Sequence, residues 1–531
     1  MSSPNMPLDP MPAPLNVSVP LLPRPPLVLF FGLAALYIIF LFPSPEFNAY
    51  NKNDASLFHT MGLNLARSGR YTTDICPGES YGQHGTWPPL FPALLASVIL
   101  ASGDSWIAIK LLMVGMGLGN LFLLRKLLKV SVEGEWAVLL VGISPMYFLF
   151  SHTTMTEVPF MLASTATLLA AQRAFTLRGV FLAGVLAVIA FFTRGYAAVF
   201  VPAGIIYFLS RREGTLRHRI WVAVLFVGPL VAAIVLWGIY TRSIVASGHL
   251  DYITSHFGNG SGIISGALRS PLAYAREFYW WHARFPSHML LSCITLHDAL
   301  THDALVPLSV VLLLFVAGGW WWNVRQGASL YDWWFLCGVG LLLSIRGTSA
   351  RYWLTYLPFM FYYLLTYVAV LARNLRGLRR LSVAVLMVGV TCGGAGLARH
   401  LMLPDELRFL NGYWRELRDA SLWARDHTPP RSQLIVAVGD NQCHVASGRC
   451  ITTLGATTAN AMLHPDVFLL APRAGLSSVP FPKYHQSLRQ ADGLLSQVDH
   501  IPVWSGKEVI LYRLLPSKRK GDEIENSQRQ E

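Results

Sequence analysis

The chain has 531 residues, with 42 Lys and Arg against 29 Asp and Glu, for a formal charge of +13. Hydrophobic residues make up 53%, charged residues only 13%, and the mean hydropathy is +0.43. A soluble chain carries about 25% charged residues, so a water-soluble globule of this size is excluded, as are disordered, collagen-like and disulfide-scaffold proteins.

Long apolar runs separated by short basic loops imply a polytopic α-helical membrane protein embedded in a lipid bilayer. The positive charge then reads as topology, because cytoplasmic loops collect Lys and Arg. No nucleic acid is expected as a partner.

The first 26 residues hold nine prolines and one basic residue, Arg24. They lack the charged start and cleavage site of a signal peptide and read as a disordered cytoplasmic arm, 1–26. Apolar segments follow at about 27–42, 106–124, 136–150, 158–171, 180–193, 196–210, 220–240, 303–322, 333–345, 352–372 and 381–398. A twelfth, 88–100, opens on Pro88-Pro89, contains Pro92 and falls short of the roughly 20 residues a span needs.

If this twelfth segment does not cross, fourteen cations between Arg125 and Arg380 share one side, and only Arg194, Arg346 and Arg351 lie in the short loops opposite. If it crosses, the later loops invert and break the positive-inside rule repeatedly. It is therefore read as interfacial or re-entrant. The expectation is about 11–13 transmembrane helices in a domain 27–400. The N-terminus is cytoplasmic and the loops 43–87 and 241–302 lie outside.

Residues 405–428 place Leu407, Leu410, Trp414, Leu417, Leu422 and Trp423 at helical spacing. A β-like run follows at 433–438, and Ser505-Gly506-Lys507 sits between two strand-like stretches as a hairpin turn. Together they predict a small extracytoplasmic α/β domain, 405–515, ahead of a disordered tail, 516–531. Cys337 and Cys392 fall in apolar spans as small core residues. Cys443 and Cys450 lie where the topology predicts an oxidising compartment, which admits a disulfide without requiring one.

The chemistry-bearing residues gather on the predicted outer side. Asp54 opens a stretch in which Phe58, Met61, Gly62 and Leu65 share one helical face, suited to a membrane surface. It reads either as a helix N-cap or as a catalytic carboxylate. Tyr71, His84 and Trp87 follow, with Trp87 also suited to an interfacial anchor.

Glu157, preceded by His152, lies where one span ends and the next begins, and an ionisable group at bilayer depth is costly unless paired or functional. Arg194, Arg346 and Arg351, the last beside Tyr352, stand against the charge rule and call for an anion. A lipid phosphate suits their planar forks, and Glu157 or ordinary headgroups are the alternatives. The loop 241–302 is rich in aromatic and His residues that suit sugar rings or the interface equally.

Four features occur in order: Asp54 with Gly62 to Tyr71, the Pro88-Pro89-Leu90 turn, Thr156-Glu157-x-Pro159, and Arg351-Tyr352 before Pro358. In these the chain resembles the GT-C superfamily of membrane glycosyltransferases over about residues 27–372, specifically protein O-mannosyltransferases and lipid A aminoarabinose transferases. The resemblance implies inverting transfer of a sugar from a polyprenyl-phosphate donor to a lipid, glycan or protein acceptor, with Asp54 as general base. Some relatives carry a second acid and a lysine where this chain has Ala55 and Trp87.

Arg194 and Arg351 are the first choices to hold the donor phosphate, with Arg346, His84 and Lys52 behind them. Trp87, Tyr71, His152 and Tyr352 are the expected substrate-lining residues. Glu157 positions the acceptor, holds an arginine, or completes a divalent site with Asp54. No metal is expected to be obligatory, because the outer loops lack a cluster of ligands at metal-binding spacing. The expected location is a bacterial inner membrane. The rival readings are a lipid or glycolipid flippase, and a membrane scaffold without activity.

Overall fold

The computed structural model describes residues 22–41, 54–72, 87–129, 131–174, 176–211, 214–244, 270, 290, 306–344, 350–374, 379–402, 404–429, 432–436, 450–453, 466–472, 491, 494–496, 498–507 and 509–515. In chain order the helices are α1 (Leu27–Ile39), α2 (Asp54–Ser68), α3 (Leu90–Ser102), α4 (Trp106–Leu128), α5 (Val132–Ile143), α6 (Pro145–Ser151), α7 (Glu157–Gln172) and α8 (Leu177–Thr193). A 3-10 turn, Gly195–Val199, leads to α9 (Phe200–Ser210) and α10 (Leu216–Ile244). Then come α11 (Val306–Gly327), α12 (Leu330–Ser344), α13 (Ala350–Leu354), α14 (Leu357–Asn374), α15 (Arg379–Met402) and α16 (Pro404–His427).

Every apolar segment expected from the sequence is helical, and α3 starts just after Pro88-Pro89, where the prolines release the backbone. Two described helices, at Trp106–Leu128 and Leu216–Thr241, are long and apolar enough to cross a membrane alone. The bent pair α5–α6, with 65° between its halves, makes a third, and shorter apolar helices accompany them.

The chain forms two compact units. The first comprises Met1–Pro43, Gly85–Phe91 and Lys110–Met402. Its helix starts are locally encoded. Ser131 caps α5 by accepting from Gly134 N, and Thr176 caps α8 by accepting from Gly179 N. Pro145, at the first turn of α6, creates the bend.

Polar cross-links tie the apolar helices together. Tyr147 Oη donates to Gly117 O at 2.8 Å and accepts from Asn120 Nδ2 at 2.9 Å, while Thr165 Oγ1 donates to Asn120 Oδ1 at 2.8 Å. Gly319 in α11 lets that helix touch the backbone of α14, since a Cβ there would collide with the Tyr363 carbonyl. Among the described residues, basic side chains mark several helix ends: Arg125 and Lys126 close α4, Arg173 and Arg178 flank the α7–α8 turn, Arg211 follows α9, and Arg325 and Arg373 close α11 and α14.

The second unit joins Ser44–His84 and Pro92–Ile109 to Leu403–Glu531. Its sheet has β1 (Gln433–Val436), β2 (Cys450–Thr453), β3 (Val467–Pro472), β4 (His500–Ser505) and β5 (Val509–Leu514), in the order β2-β1-β3-β5-β4. β1 runs parallel to β2 and β3, while β5 runs antiparallel to β3 and pairs with β4 as the expected hairpin.

Alternation along the strands builds two cores. Leu434, Val436, Phe468, Leu470, Val509 and Leu511 pack on Leu417, Ala420 and Ala424 of α16. Ile435, Val467, Leu469, Ala471 and Leu514 pack on the other face with Ala491. Glu416 fastens α16 to the hairpin by accepting from Lys507 N at 3.0 Å and Val509 N at 3.1 Å. The first unit's helices and this small sheet domain make up a polytopic α-helical membrane fold with a C-terminal α/β module.

Candidate functional site

In the first unit, helix ends bring together residues far apart in sequence. Glu157 opens α7, Arg194 ends α8 in extended backbone, and Arg351 lies in α13. The Glu157 side chain is 1% exposed; Arg194 Nη1 lies 2.7 Å and Arg351 Nε 3.8 Å from its Oε1. Tyr352 completes the group: the guanidinium carbons of Arg194 and Arg351 sit 5.0 and 5.1 Å from its ring centre, and Arg351 Nη2 donates to its hydroxyl at 3.2 Å. The Tyr196 ring lies tilted against Tyr352, 5.3 Å between centres, and 5.2 Å from the Arg194 guanidinium.

Two cations therefore flank one buried carboxylate. The Arg194 contact is short but off-line: both Glu157 oxygens and Arg194 Nη1 are buried without an aligned hydrogen bond. Buried polar groups almost always find partners. The unmatched hydrogen-bonding capacity here lies on the Glu157 oxygens and on Arg194 Nη1.

A second buried carboxylate in the same unit shows the opposite arrangement. Asp332, in the first turn of α12, accepts from Ser329 N at 2.7 Å, Ser329 Oγ at 2.6 Å, Asn323 Nδ2 at 2.9 Å and Tyr363 Oη at 2.7 Å. Asp332 thus closes the start of α12, its own N–H donating back to Ser329 O at 3.2 Å, within a satisfied network.

His152 lies beside the Glu157 cluster in sequence, 2% exposed, with Nδ1 2.8 Å from Phe148 O and Nε2 3.0 Å from Tyr37 O. Its ring is committed to backbone carbonyls. Lys110, which the sequence reading passed over inside an apolar run, is 7% exposed and donates to Leu41 O at 3.4 Å. A lysine inside an otherwise apolar helix is the signal that would have found it.

Asp54 is the first residue of α2, in the second unit. Phe58 and Met61 of α2, expected at a membrane surface, are 1% and 0% exposed and so are covered by protein. Tyr71 and Trp87 are half-buried. Lys52, His84 and Arg346 lie outside the described residues, as do Cys443 and nearly all of the loop 241–302.

The sequence reading also missed His59 and Asp104, which pair in the second unit with Nε2 donating to Oδ1 over 2.6 Å. Among the described residues no group of three His, Cys, Asp or Glu side chains converges on a metal-sized site.

Comparison with known proteins agrees with this architecture. Residues 84–237, which include Glu157 and Arg194, match the model of the dolichyl-phosphate-mannose-protein mannosyltransferase family. ArnT from Cupriavidus metallidurans, in a structure bound to undecaprenyl phosphate, is similar with a TM-score of 0.56 at 11% identity over 92% of this chain and 97% of that one. The oligosaccharyltransferase AglB from Archaeoglobus fulgidus, in complex with an inhibitory peptide and a dolichol-phosphate, gives 0.54 at 11% identity over 93% of this chain and 74% of that one. No curated protein matches by sequence. The fold of this chain is therefore shared with these solved structures, and residues 84–237 carry the pattern of the mannosyltransferase family.

Proposed function

We propose that this chain transfers a sugar from a polyprenyl-phosphate carrier to an extracytoplasmic acceptor, with inversion at the anomeric carbon. The observation that carries the reading is the buried Glu157 cluster, in which two guanidiniums approach one carboxylate and Arg194 Nη1 has no aligned acceptor. The GT-C fold supports it, because the solved relative of similar architecture carries a polyprenyl phosphate. The basic residues at the ends of α4, α7, α9, α11 and α14, away from the cluster in sequence, support an outward-facing cluster by the positive-inside rule.

In this mechanism Asp54 removes the proton of the acceptor nucleophile as the new C1 bond forms, a step in which a placed base contributes about 10²- to 10⁴-fold. The carrier phosphate leaves as a stable anion and needs no general acid. Arg194 and Arg351 stabilise the charge that develops on its bridging oxygen, in a site too dry for water to do so. Glu157 keeps both guanidiniums oriented and prevents them from repelling each other in the unliganded protein.

The donor is a polyprenyl-linked sugar and the acceptor a lipid, glycan or protein hydroxyl or amine. The location that fits is a bacterial inner membrane with the cluster facing outward.

The test is turnover by the purified full-length protein in nanodiscs, supplied with synthetic polyprenyl-phosphate sugars and read as released polyprenyl phosphate. Release by wild type and its loss in Asp54→Asn is the expected result. Passage of the lipid across the bilayer without release, unaffected by Asp54→Asn, would identify a flippase instead.

A further inference from the structure

Helix α2, which starts with Asp54, belongs to the unit built on the C-terminal domain, although more than 330 residues separate them in sequence. Three contacts within that unit hold it. Gly62 packs against α3 with no side chain between them, since a Cβ there would lie 2.9 Å from Leu95 Cβ and 3.4 Å from the Pro92 carbonyl.

His59, wholly buried, donates from Nε2 to Asp104 Oδ1 at 2.6 Å. The His59 ring also meets Trp106 edge-on at 4.5 Å, and Trp106 packs against the core that Leu417, Ala420 and Ala424 of α16 form with the sheet.

Asp104 is the hub of the charges here. Burial is the largest single effect and raises its proton affinity, but the His59 bond together with the fields of His59, Arg67 of α2 and Arg418 of α16 outweighs it and holds the carboxyl below its ordinary range. The other ring nitrogen of His59, Nδ1, is buried with no partner among the described residues. A leucine would fill the same space without that cost. What the imidazole adds is direction, because a hydrogen bond fixes the rotation of α2 about its axis as apolar contact does not. Asp54 lies five residues before His59, about 7.5 Å along the helix. A rotation at one is therefore carried rigidly to the other.

We propose that His59 and Asp104 form a latch that holds α2 on the α3–α4 turn, beside the Trp106 that packs on the C-terminal core, making both of them positioning residues for the base Asp54. The catalytic half of this rests on the reading of Asp54 given above, while the latch itself does not.

The test uses full-length protein in nanodiscs, comparing wild type, His59→Gln, Asp104→Asn and Arg418→Gln by hydrogen–deuterium exchange of residues 54–68 and by steady-state transfer. In His59→Gln and Asp104→Asn, exchange across 54–68 should rise about tenfold, the shift expected for loss of a charge-assisted hydrogen bond. Strands β1, β3 and β5 should keep their protection. Arg418→Gln should raise exchange in 54–68 less, by about threefold, as a weaker contribution through the field on Asp104.

The value of kcat should fall with KM for the donor nearly unchanged, and the double variant should be no worse than either single one. Wild-type exchange in 54–68 in both latch variants would overturn the proposal. If exchange rises while kcat holds and Asp54→Asn is also active, the latch stands and the role of Asp54 fails.

Discussion

Glu157 and Asp332 make an instructive pair. Both are fully buried carboxylates in the first turn of a helix of the same unit. Asp332 is saturated by a backbone amide, two hydroxyls and an amide side chain, all neutral and all within 2.9 Å. Glu157 has two guanidiniums and no aligned hydrogen bond. Burial alone therefore does not mark function. A carboxylate whose acceptor capacity is filled is fixed by its neighbours, whereas Glu157 and Arg194 Nη1 retain hydrogen-bonding capacity that their surroundings do not match.

The strongest way to break that contrast is at Arg194. Arg194→Gln should lower transfer by about 10²- to 10³-fold, the loss typical of a transition-state charge stabiliser. Product formation per folded molecule measures it, with folding checked by gel filtration and melting. Activity close to wild type would remove the Glu157 cluster from the reaction.

Asp332→Asn sharpens the other side. It leaves buried donors competing for one acceptor and should destabilise by about 1–3 kcal/mol, seen as a lower melting temperature, while turnover per folded molecule stays the same. A selective loss of turnover would mean that the satisfied network also serves catalysis.

The smallest effect concerns Asp104, which shares with Asp332 the habit of accepting a short hydrogen bond but stays partly exposed. Its carboxyl is held below the ordinary value of about 3.9. Its contribution is therefore complete above that value and fades as pH falls through the lower folded-state value. Protection of α2, read by pulse labelling after incubation at graded acidity, should decline only under strongly acidic conditions. Asp104→Asn should show no such step, and an equal step in both would assign it to another group.

Much of this architecture was legible in one sequence, for reasons that differ by element. The bundle helices follow from apolar runs with basic punctuation, and the start of α3 from the stiffness of Pro88-Pro89. Glu157, Arg194 and Arg351 stood out because each violates the rule of its surroundings: an acid at a span end, and cations on the side where cations are scarce. The structure brings those three together.

The His59–Asp104 pair was not legible, since the partners lie 45 residues apart and each has an ordinary polar neighbourhood in sequence. Nor was the chain of contacts from His59 through Trp106 to the core of the C-terminal domain, which depends on packing between distant segments. Within the sheet, β1 and the hairpin were visible, but β2 and β3 were not. β2 is a four-residue strand without a hydrophobic alternation, and β3 is a central strand covered on both faces, so its apolar run lacks a period.

The connection between α6 and α7 carries one further implication. Every residue from Tyr147 to Met161 is shielded from solvent, so this connection turns inside the protein. Surface turns accept extra residues because water can solvate whatever bulges out. A turn enclosed on all sides has no such slack, and its length is as constrained as its composition. Among sequences that share this scaffold, insertions and deletions should accumulate in other connections and spare the stretch that delivers Glu157.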